Sequence, residues 1–449
     1  MSVLVPHGWT RSRPRPRRGI SATTPDTEGC VSVAKSWPSS NMTGTKRKRS
    51  VSNTITRPPP SRPTPELPDE IVLDILLRLP VKSLLRFNSV CKAWHAIISG
   101  PGFMEAHLQR SASEWEQDPC FIVTPVTLYR AIPGDSWPLT DCDIRFYQWQ
   151  QSASNQARFV HGEDFVRLFN RLYPFAYCDG LVLVPADTRI FLFNPATRDA
   201  ITLPASSRNQ LPQAPRICRC TGLGLDPRTG KYKVVQGFYQ PDPAANRYHM
   251  GMEVFTVNGG DGGTWKETRL DLPYPIGPYD TAVTVNGFLF WRIDKAHHRQ
   301  KTLRGLLRLG LADEWFDVTM LPDSMDPALD DAFTLGVLQG ELCLTACTSE
   351  SVVTIWTMPI DDEGEGQWDR RYSFHFGHGL CYPMALLPGS RLLLWSPFVL
   401  YSYDLATSEL TVLCEMDRIK YQRRSARKWK KLWKFNLWPY MQSLVRITV

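Results

Sequence analysis

Two periodicities divide the chain. Ile71, Val72, Ile75, Leu76 and Leu79 recur at three- and four-residue spacing, which marks one helical stripe. Leu67-Pro68-Asp69-Glu70 reads as the start of that helix, because proline is tolerated at the first helical position and acids favour the first turn. Leu79-Pro80 ends it. A second short helix is predicted over 81–87, with Leu84, Leu85 and Phe87 apolar. A third runs from about Ser89, with Val90, Cys91, Trp94, Ile97 and Ile98 on one face, and stops at Ser99-Gly100-Pro101. Three short helices in about 45 residues bury too little surface to make a good core. Such a unit needs a partner or the rest of its chain.

After about residue 111 short apolar runs between turn residues replace the helical period. Examples are 180–184, 191–193, 232–235, 252–257, 287–291, 352–356, 391–395 and 399–403. A glycine-led apolar strand recurs at Gly180, Gly222, Gly287, Gly340 and Gly389, spaced 42, 65, 53 and 49 residues apart. The turn Asn194-Pro195-Ala196-Thr197 returns as Asp226-Pro227-Arg228-Thr229 and Asp404-Leu405-Ala406-Thr407. Repeats of about 40–50 residues in an all-β chain point to propeller blades, about six or seven of them here. The expected fold is therefore multidomain: a small all-α unit followed by an all-β, propeller-like domain. The 15 Trp, 15 Tyr and 20 Phe suit half-buried sheet, and the 36 Pro and 29 Gly suit many turns.

Charge changes the picture at the ends. Residues 1–64 hold 12 Lys or Arg against Asp26 and Glu28, and residues 418–449 hold 10 with no acid. With a total of +8, the middle of the chain is acidic, so the basic balance does not describe the β domain. Residues 1–64 are rich in Pro, Ser, Thr and Arg and are expected to be a disordered basic tail. Lys46-Arg47-Lys48-Arg49 resembles a nuclear localisation signal, with a solvated tail as the other reading. The acid-poor start also resembles a transit peptide, and Met42 offers an internal start. The 11 scattered cysteines read as reduced thiols of a nuclear or cytoplasmic protein. No run reaches the ~18 uninterrupted apolar residues of a membrane span.

Few constellations carry chemistry. His375, His378 and Cys381 match no standard zinc spacing, and neither Cys218-x-Cys220 nor Cys343-x-x-x-Cys347 has the two-residue gap of a zinc knuckle. Gly222-x-Gly224 lacks the third glycine of a dinucleotide site, and the glycine-rich 258–263 segment lacks a following Lys-Ser/Thr. No metal, cofactor or catalytic residue is expected. Trp429, Leu432, Trp433 and Leu437 fall at helical spacing among Arg427, Lys428, Lys430, Lys431 and Lys434. The segment 416–449 is thus expected to be a basic tail. Its two readings are an amphipathic helix on an anionic membrane or acidic groove, and a tail packed loosely on the acidic domain.

The order Leu67-Pro68-Asp69-Glu70-Ile71, Ile75-Leu76, Leu79-Pro80-Val81-Lys82-Ser83-Leu84, Val90-Cys91-Lys92-Ala93-Trp94 closely resembles an F-box over about residues 66–108. The stretch 111–415, with its Asn194–Thr197 turn and Gly222–Val235, is similar to the F-box-associated domain of plant F-box proteins. The resemblance sets domain expectations of 65–110 for the F-box and 111–415 for a substrate-recognition propeller. It implies binding of a Skp-type adaptor, and through it a cullin, with Leu67, Pro68, Ile71, Ile75, Leu79, Pro80, Leu84, Val90, Cys91 and Trp94 taking part in that binding or supporting it. Leu76, Phe87 and Ile97 are expected in the core. The function implied is that of a non-catalytic substrate receptor in an SCF-type ubiquitin ligase, with an unidentified protein substrate and no nucleic acid. The acidic loops 361–365 and 326–331 would favour a basic partner. Two other classes fit the residues in part: a β-propeller hydrolase or sugar-binding enzyme, because fold does not fix function, and a nucleic-acid-binding regulator using the basic ends.

Overall fold

The computed structural model describes residues 67–448 except 131–138, 141–142, 153–154, 165–173, 187–188, 209–219, 243–246, 261–262, 271, 278–279, 295–302 and 424–431. The basic segment 1–64, with Met42 and Lys46–Arg49, lies outside the described residues, as do Cys218, Arg427, Lys428, Trp429, Lys430 and Lys431.

Four helices open the described chain: α1 (Asp69–Leu77), α2 (Val81–Phe87), α3 (Lys92–Ile98) and α4 (Pro101–Gln117). Asp69 and Glu70 occupy the first turn of α1, where acids oppose the positive end of the helix dipole. Pro80 precedes α2, and Cys91 caps α3 by accepting from the Trp94 N–H at 3.4 Å. The fourth helix corrects the expected three. Gly100-Pro101 does stop α3, but a proline at the first helical position also starts a helix, and α4 begins there. Because α4 runs to Gln117, it also crosses the boundary expected at 110.

The remainder forms six sheets, antiparallel but for one short edge, arranged as a six-bladed propeller. Blades one to five each contain four strands in chain order, spanning Ala176–Thr202, Thr221–Glu267, Val283–Met320, Phe333–His375 and Tyr382–Glu415. Blade six joins distant segments. Cys120–Arg130, Asp143–Gln150 and Gln156–Asp164 pair in order, and Leu432–Pro439 pairs antiparallel with Cys120–Arg130. That late strand takes the place held by the first strand in the other blades. Lys420–Tyr421 adds a short parallel edge to Gln156–Asp164.

The apolar runs are explained by six seams, one between each pair of neighbouring blades. Leu181–Pro185, Ile190–Asn194 and Gly305–Gly310 are buried at every position, because both faces of those strands meet another sheet. The seam between blades two and three gathers Val235, Met252 and Val254 against Leu289 and Trp291. The seam between five and six gathers Leu393 and Trp395 against Phe121, Tyr147 and Phe435, and thereby closes the ring.

The repeat resides in its turns. Asp179-Gly180, Asn286-Gly287 and Gln339-Gly340 form two-residue turns between first and second strands, with φ positive at both residues. This is the mirror-image hairpin turn that matches strand twist and favours glycine. Gly222 was expected in this series, yet it lies inside a strand, where an added Cβ would fall 2.7 Å from Leu289 Cδ1. The equivalent turn residue in blade two is Gly230, with φ 64°. With Gly230 in its place the spacing becomes 50, 57, 53 and 49 residues, a more regular period. The Asn/Asp-x-x-Thr turns share one mechanism: the Asn194, Asp226 and Asp404 side chains each accept from the two backbone N–H groups two and three residues on.

The segment expected as a helical or loose basic tail is a strand instead. Trp433, Phe435 and Leu437 alternate with Lys434 and Asn436, a period of two, and seven residues of the segment pair with 121–127. The sheet pairs one edge of this segment's backbone, and the seam takes Phe435 and Leu437, which a helix on the surface would leave in water.

Candidate partner-docking site

Within α1 the aliphatic stripe is broader than one packed face requires. Val72, Leu76 and Leu79 turn inward, with Leu76 fully buried, and join Val81, Leu84, Ile98 and Phe103 in the helical core. Leu67, Ile71 and Ile75 fall four residues apart and form an outward ridge. They are 61%, 48% and 46% exposed, and Leu73 beside them is 40% exposed. Val90, 60% exposed, and the exposed Cys91 add to the apolar surface at the start of α3. Pro68 and Pro80 are also exposed. Scattered apolar residues on a surface are ordinary, but a regular aliphatic row with adjoining prolines is a candidate docking face.

The ten residues singled out from the sequence do not share one fate. Leu67, Pro68, Ile71, Ile75, Pro80, Val90 and Cys91 are exposed, and Leu79 and Trp94 are half-buried. Leu84 is completely buried and offers no surface for docking, so its place is in the core of the unit. It can support the face from beneath: α2 has seven residues and rests on α3, and Val81 and Leu84 are the two that it buries. Leu76 is in the core, with Phe87 and Ile97 partly buried against it. Trp94 packs on Phe87 with ring centroids 5.3 Å apart.

Two supports for this face gave no sequence signal. His107 on α4 is buried, and its Nε2 lies 3.0 Å from the Leu79 carbonyl. A carbonyl only accepts, so the proton resides on Nε2 and the ring donates. Burial holds this imidazole below its ordinary pKa, against the opposing pull of the carbonyl. From the far end of the chain, Gln442 Oε1 accepts from the Val81 N–H at 3.1 Å, and Leu444 is buried in the helical core. Leu73 was also missed, because it falls between the two rows.

The helical unit is tied to the propeller at α4 as well. Trp115 Nε1 donates to the Cys120 carbonyl at 2.5 Å, and its ring meets Phe121 edge-on at 5.7 Å. Asp118 accepts from Gln150 at 2.6 Å and Ser152 at 2.8 Å.

The constellations rejected from sequence find ordinary surroundings. His378 stacks on Tyr401 at 5.0 Å, and Cys381 is buried between blades four and five. Burial pushes the thiols of Cys343 and Cys381 up to about 12, which keeps them protonated and unreactive. Among the described residues, no three His, Cys, Asp or Glu side chains are grouped to hold a metal ion.

Comparison with known proteins bears on the same two regions. An F-box-like family profile matches residues 64–105, and a profile described as the F-box associated beta propeller domain matches residues 141–378, more than half the chain. Two Arabidopsis thaliana proteins named as F-box proteins are similar. One is 27% identical over 316 residues, covering 67% of this chain and 76% of the relative. The other is 26% identical over 328 residues, covering 68% and 67%. An F-box/LRR-repeat protein of the same plant is 24% identical over 327 residues, covering 69% and 67%. With an F-box unit that keeps an aliphatic row in solvent and a six-bladed domain matched across most of its blades, the chain belongs to the F-box proteins that carry an F-box-associated β-propeller domain.

Proposed function

We propose that this chain is a non-catalytic substrate-receptor subunit of an SCF-type cullin-RING ubiquitin ligase. The exposed row Leu67, Ile71 and Ile75, with Val90, docks a Skp-type adaptor and through it a cullin. The observation that carries the reading is that row: seams bury the apolar strands of the propeller, whereas the F-box, beside its own core, leaves these aliphatic residues in water. The chemistry, amide formation on a substrate lysine, takes place on another subunit, and this chain contributes proximity.

The propeller side is read from topology. The F-box core reaches Ala196, in a third-to-fourth strand turn, and the segment bearing Leu444 lies against the first-to-second strand turn at Gly180. The substrate side is then the opposite end, formed by the connections between blades and the loops between second and third strands, where loops on a rigid scaffold carry recognition. The two acidic loops separate on this basis. Residues 326–331 lie in the connection between blades three and four, whereas 361–365 lie in a third-to-fourth strand turn, where Glu365 pairs with Arg308 at 2.9 Å. Only the 326–331 loop belongs to the substrate side, and there Arg304 holds Asp330 at 2.8 Å.

A pull-down with purified Skp-type adaptor and cullin tests the reading. The wild-type chain recovers both, and the Leu67→Ala/Ile71→Ala/Ile75→Ala variant recovers neither. Equal recovery by the two chains contradicts the proposal.

A further inference from the structure

The chain continues past the strand that closes blade six. From Tyr440 to Thr448 it forms a strap bonded to blades one and two. Tyr177 Oη accepts from the Met441 N–H at 3.2 Å. Asn194 Nδ2 donates to the carbonyls of Ser443 at 3.0 Å and Val445 at 2.7 Å. Arg446 makes two bonds to the Asp199 carboxylate at 2.7 and 3.1 Å. Asn258 donates to the Arg446 carbonyl at 2.7 Å and accepts from the Thr448 N–H at 2.9 Å. The propeller therefore fixes the strap along its length.

The strap also serves the F-box. Leu444 supplies a buried side chain to the core formed by Leu76, Val81, Leu84, Ile98 and Phe103. Among the described residues that core takes one other side chain from beyond the F-box, the half-buried Ala196. A groove of about 300 Å³ lies between the helices and blade two, with Leu444, Val445 and Arg446 along it, so the strap bridges the two here in addition to the contacts of α4 and Ala196. Gln442 acts at one bond. Val81 begins α2, and its N–H is among those that no helical carbonyl can reach. Gln442 Oε1 takes it. One residue earlier than Pro80, the Leu79 carbonyl is held by His107. The corner between α1 and α2, with the exposed Pro80 at its tip, is thus gripped from both sides.

We propose that Gln442 and Leu444 are positioning residues for adaptor docking, holding the α1–α2 corner in its docking geometry through the strand that closes the propeller. This rests on the adaptor reading above. Gln442 lies three residues beyond Pro439, the end of the closing strand, so opening of blade six releases the corner as well. Adaptor affinity and ring closure are then linked quantities, and the docking face of this F-box is complete only in a chain whose propeller is closed.

The test uses the full chain and an immobilised Skp-type adaptor, with wild type, Gln442→Leu, Gln442→Glu and Leu444→Ser. Hydrogen exchange is followed at the Val81 amide and across blades three to five. Gln442→Leu weakens adaptor binding about 3- to 10-fold, the range for one lost hydrogen bond, and speeds Val81 exchange with the blades unchanged. Gln442→Glu stays within about 2-fold of wild type, since a carboxylate accepts the same bond. Leu444→Ser weakens binding about 30-fold or more, as expected for a buried leucine lost from a small core. Should Leu444→Ser unfold the blades, the Gln442 pair decides alone. Wild-type affinity and Val81 exchange in Gln442→Leu, or equal weakness in Gln442→Leu and Gln442→Glu, overturns the positioning role. A wild-type chain that does not bind the adaptor overturns the adaptor reading, and the inference with it.

Discussion

The F-box and the propeller use the same aliphatic residues to opposite ends. In blade one, Leu181, Val182, Leu183 and Val184 are all buried, because sheets stand on both sides of the strand. In α1, Ile71 and Ile75 are left in water while Val72 and Leu76, the next residues along, pack inward. The difference is one of closure. A six-bladed ring gives each sheet two neighbours, so no face is left over. Four helices make a small unit whose core needs Leu444 from the end of the described chain, and a second apolar row finds nothing of its own to cover it. The apolar runs of the propeller are thus buried in seams, whereas the F-box both builds a core and leaves one aliphatic row exposed, and the distinguishing variable is the number of surfaces the fold supplies.

Four variants sharpen or break that contrast. The largest effect belongs to the propeller seam. Trp291 is buried and donates to the Thr221 carbonyl at 3.1 Å, and Trp291→Ala lowers unfolding stability by about 3–5 kcal/mol in denaturant titrations. A loss below about 1 kcal/mol contradicts the closed-seam description. Next is the exposed row. Ile71→Ala/Ile75→Ala changes stability by less than about 0.5 kcal/mol per site, yet weakens adaptor binding on the order of 10- to 100-fold by interferometry. A large stability loss with unchanged binding reassigns the row to the core.

A smaller effect concerns pH. Burial depresses the His107 pKa, so the folded state binds this proton less readily than the unfolded chain. Its contribution is fully present above the unfolded value of about 6.5 and is lost as pH falls through that value toward the folded one. His161 is depressed by burial in the same sense and contributes at blade six. His107→Gln is expected to flatten the acid dependence of Val81 amide protection between pH 7 and 5 and to leave the His161 component in place. An unchanged slope at Val81 removes His107 from the account. The smallest effect is a control. Val412 is exposed on the outer strand of blade five, and Val412→Ser shifts stability by no more than about 0.5 kcal/mol without altering adaptor binding.

The sequence pattern disclosed these features unevenly. Helices α1 and α2 were legible because a proline opens each beside an apolar stripe, with acids in the first turn of α1, and α3 because its apolar face stops at Ser99-Gly100-Pro101. Second and third strands of blades one to five were legible because double burial makes them continuous apolar runs. Much of blade six was not. Its inner strand alternates Trp433, Lys434, Phe435, Asn436 and Leu437, yet flanking lysines and arginines drew attention to a helical spacing instead. Its pairing partner lies about 310 residues earlier, and period alone does not specify a partner at that distance. The exposed row was legible as part of a set of apolar residues, but the split between Ile75 outward and Leu84 inward depends on which neighbours α3 and α4 present. His107 and Gln442 act through single bonds to backbone atoms, which leave no periodic trace.

The most direct test of the central claim is a hydrogen-exchange footprint of the full chain with and without a purified Skp-type adaptor. Slowed exchange confined to α1 and the start of α3, with the blades unaltered, is the predicted result. Protection appearing on the blades while 67–77 and 90–94 exchange as in the free chain contradicts it.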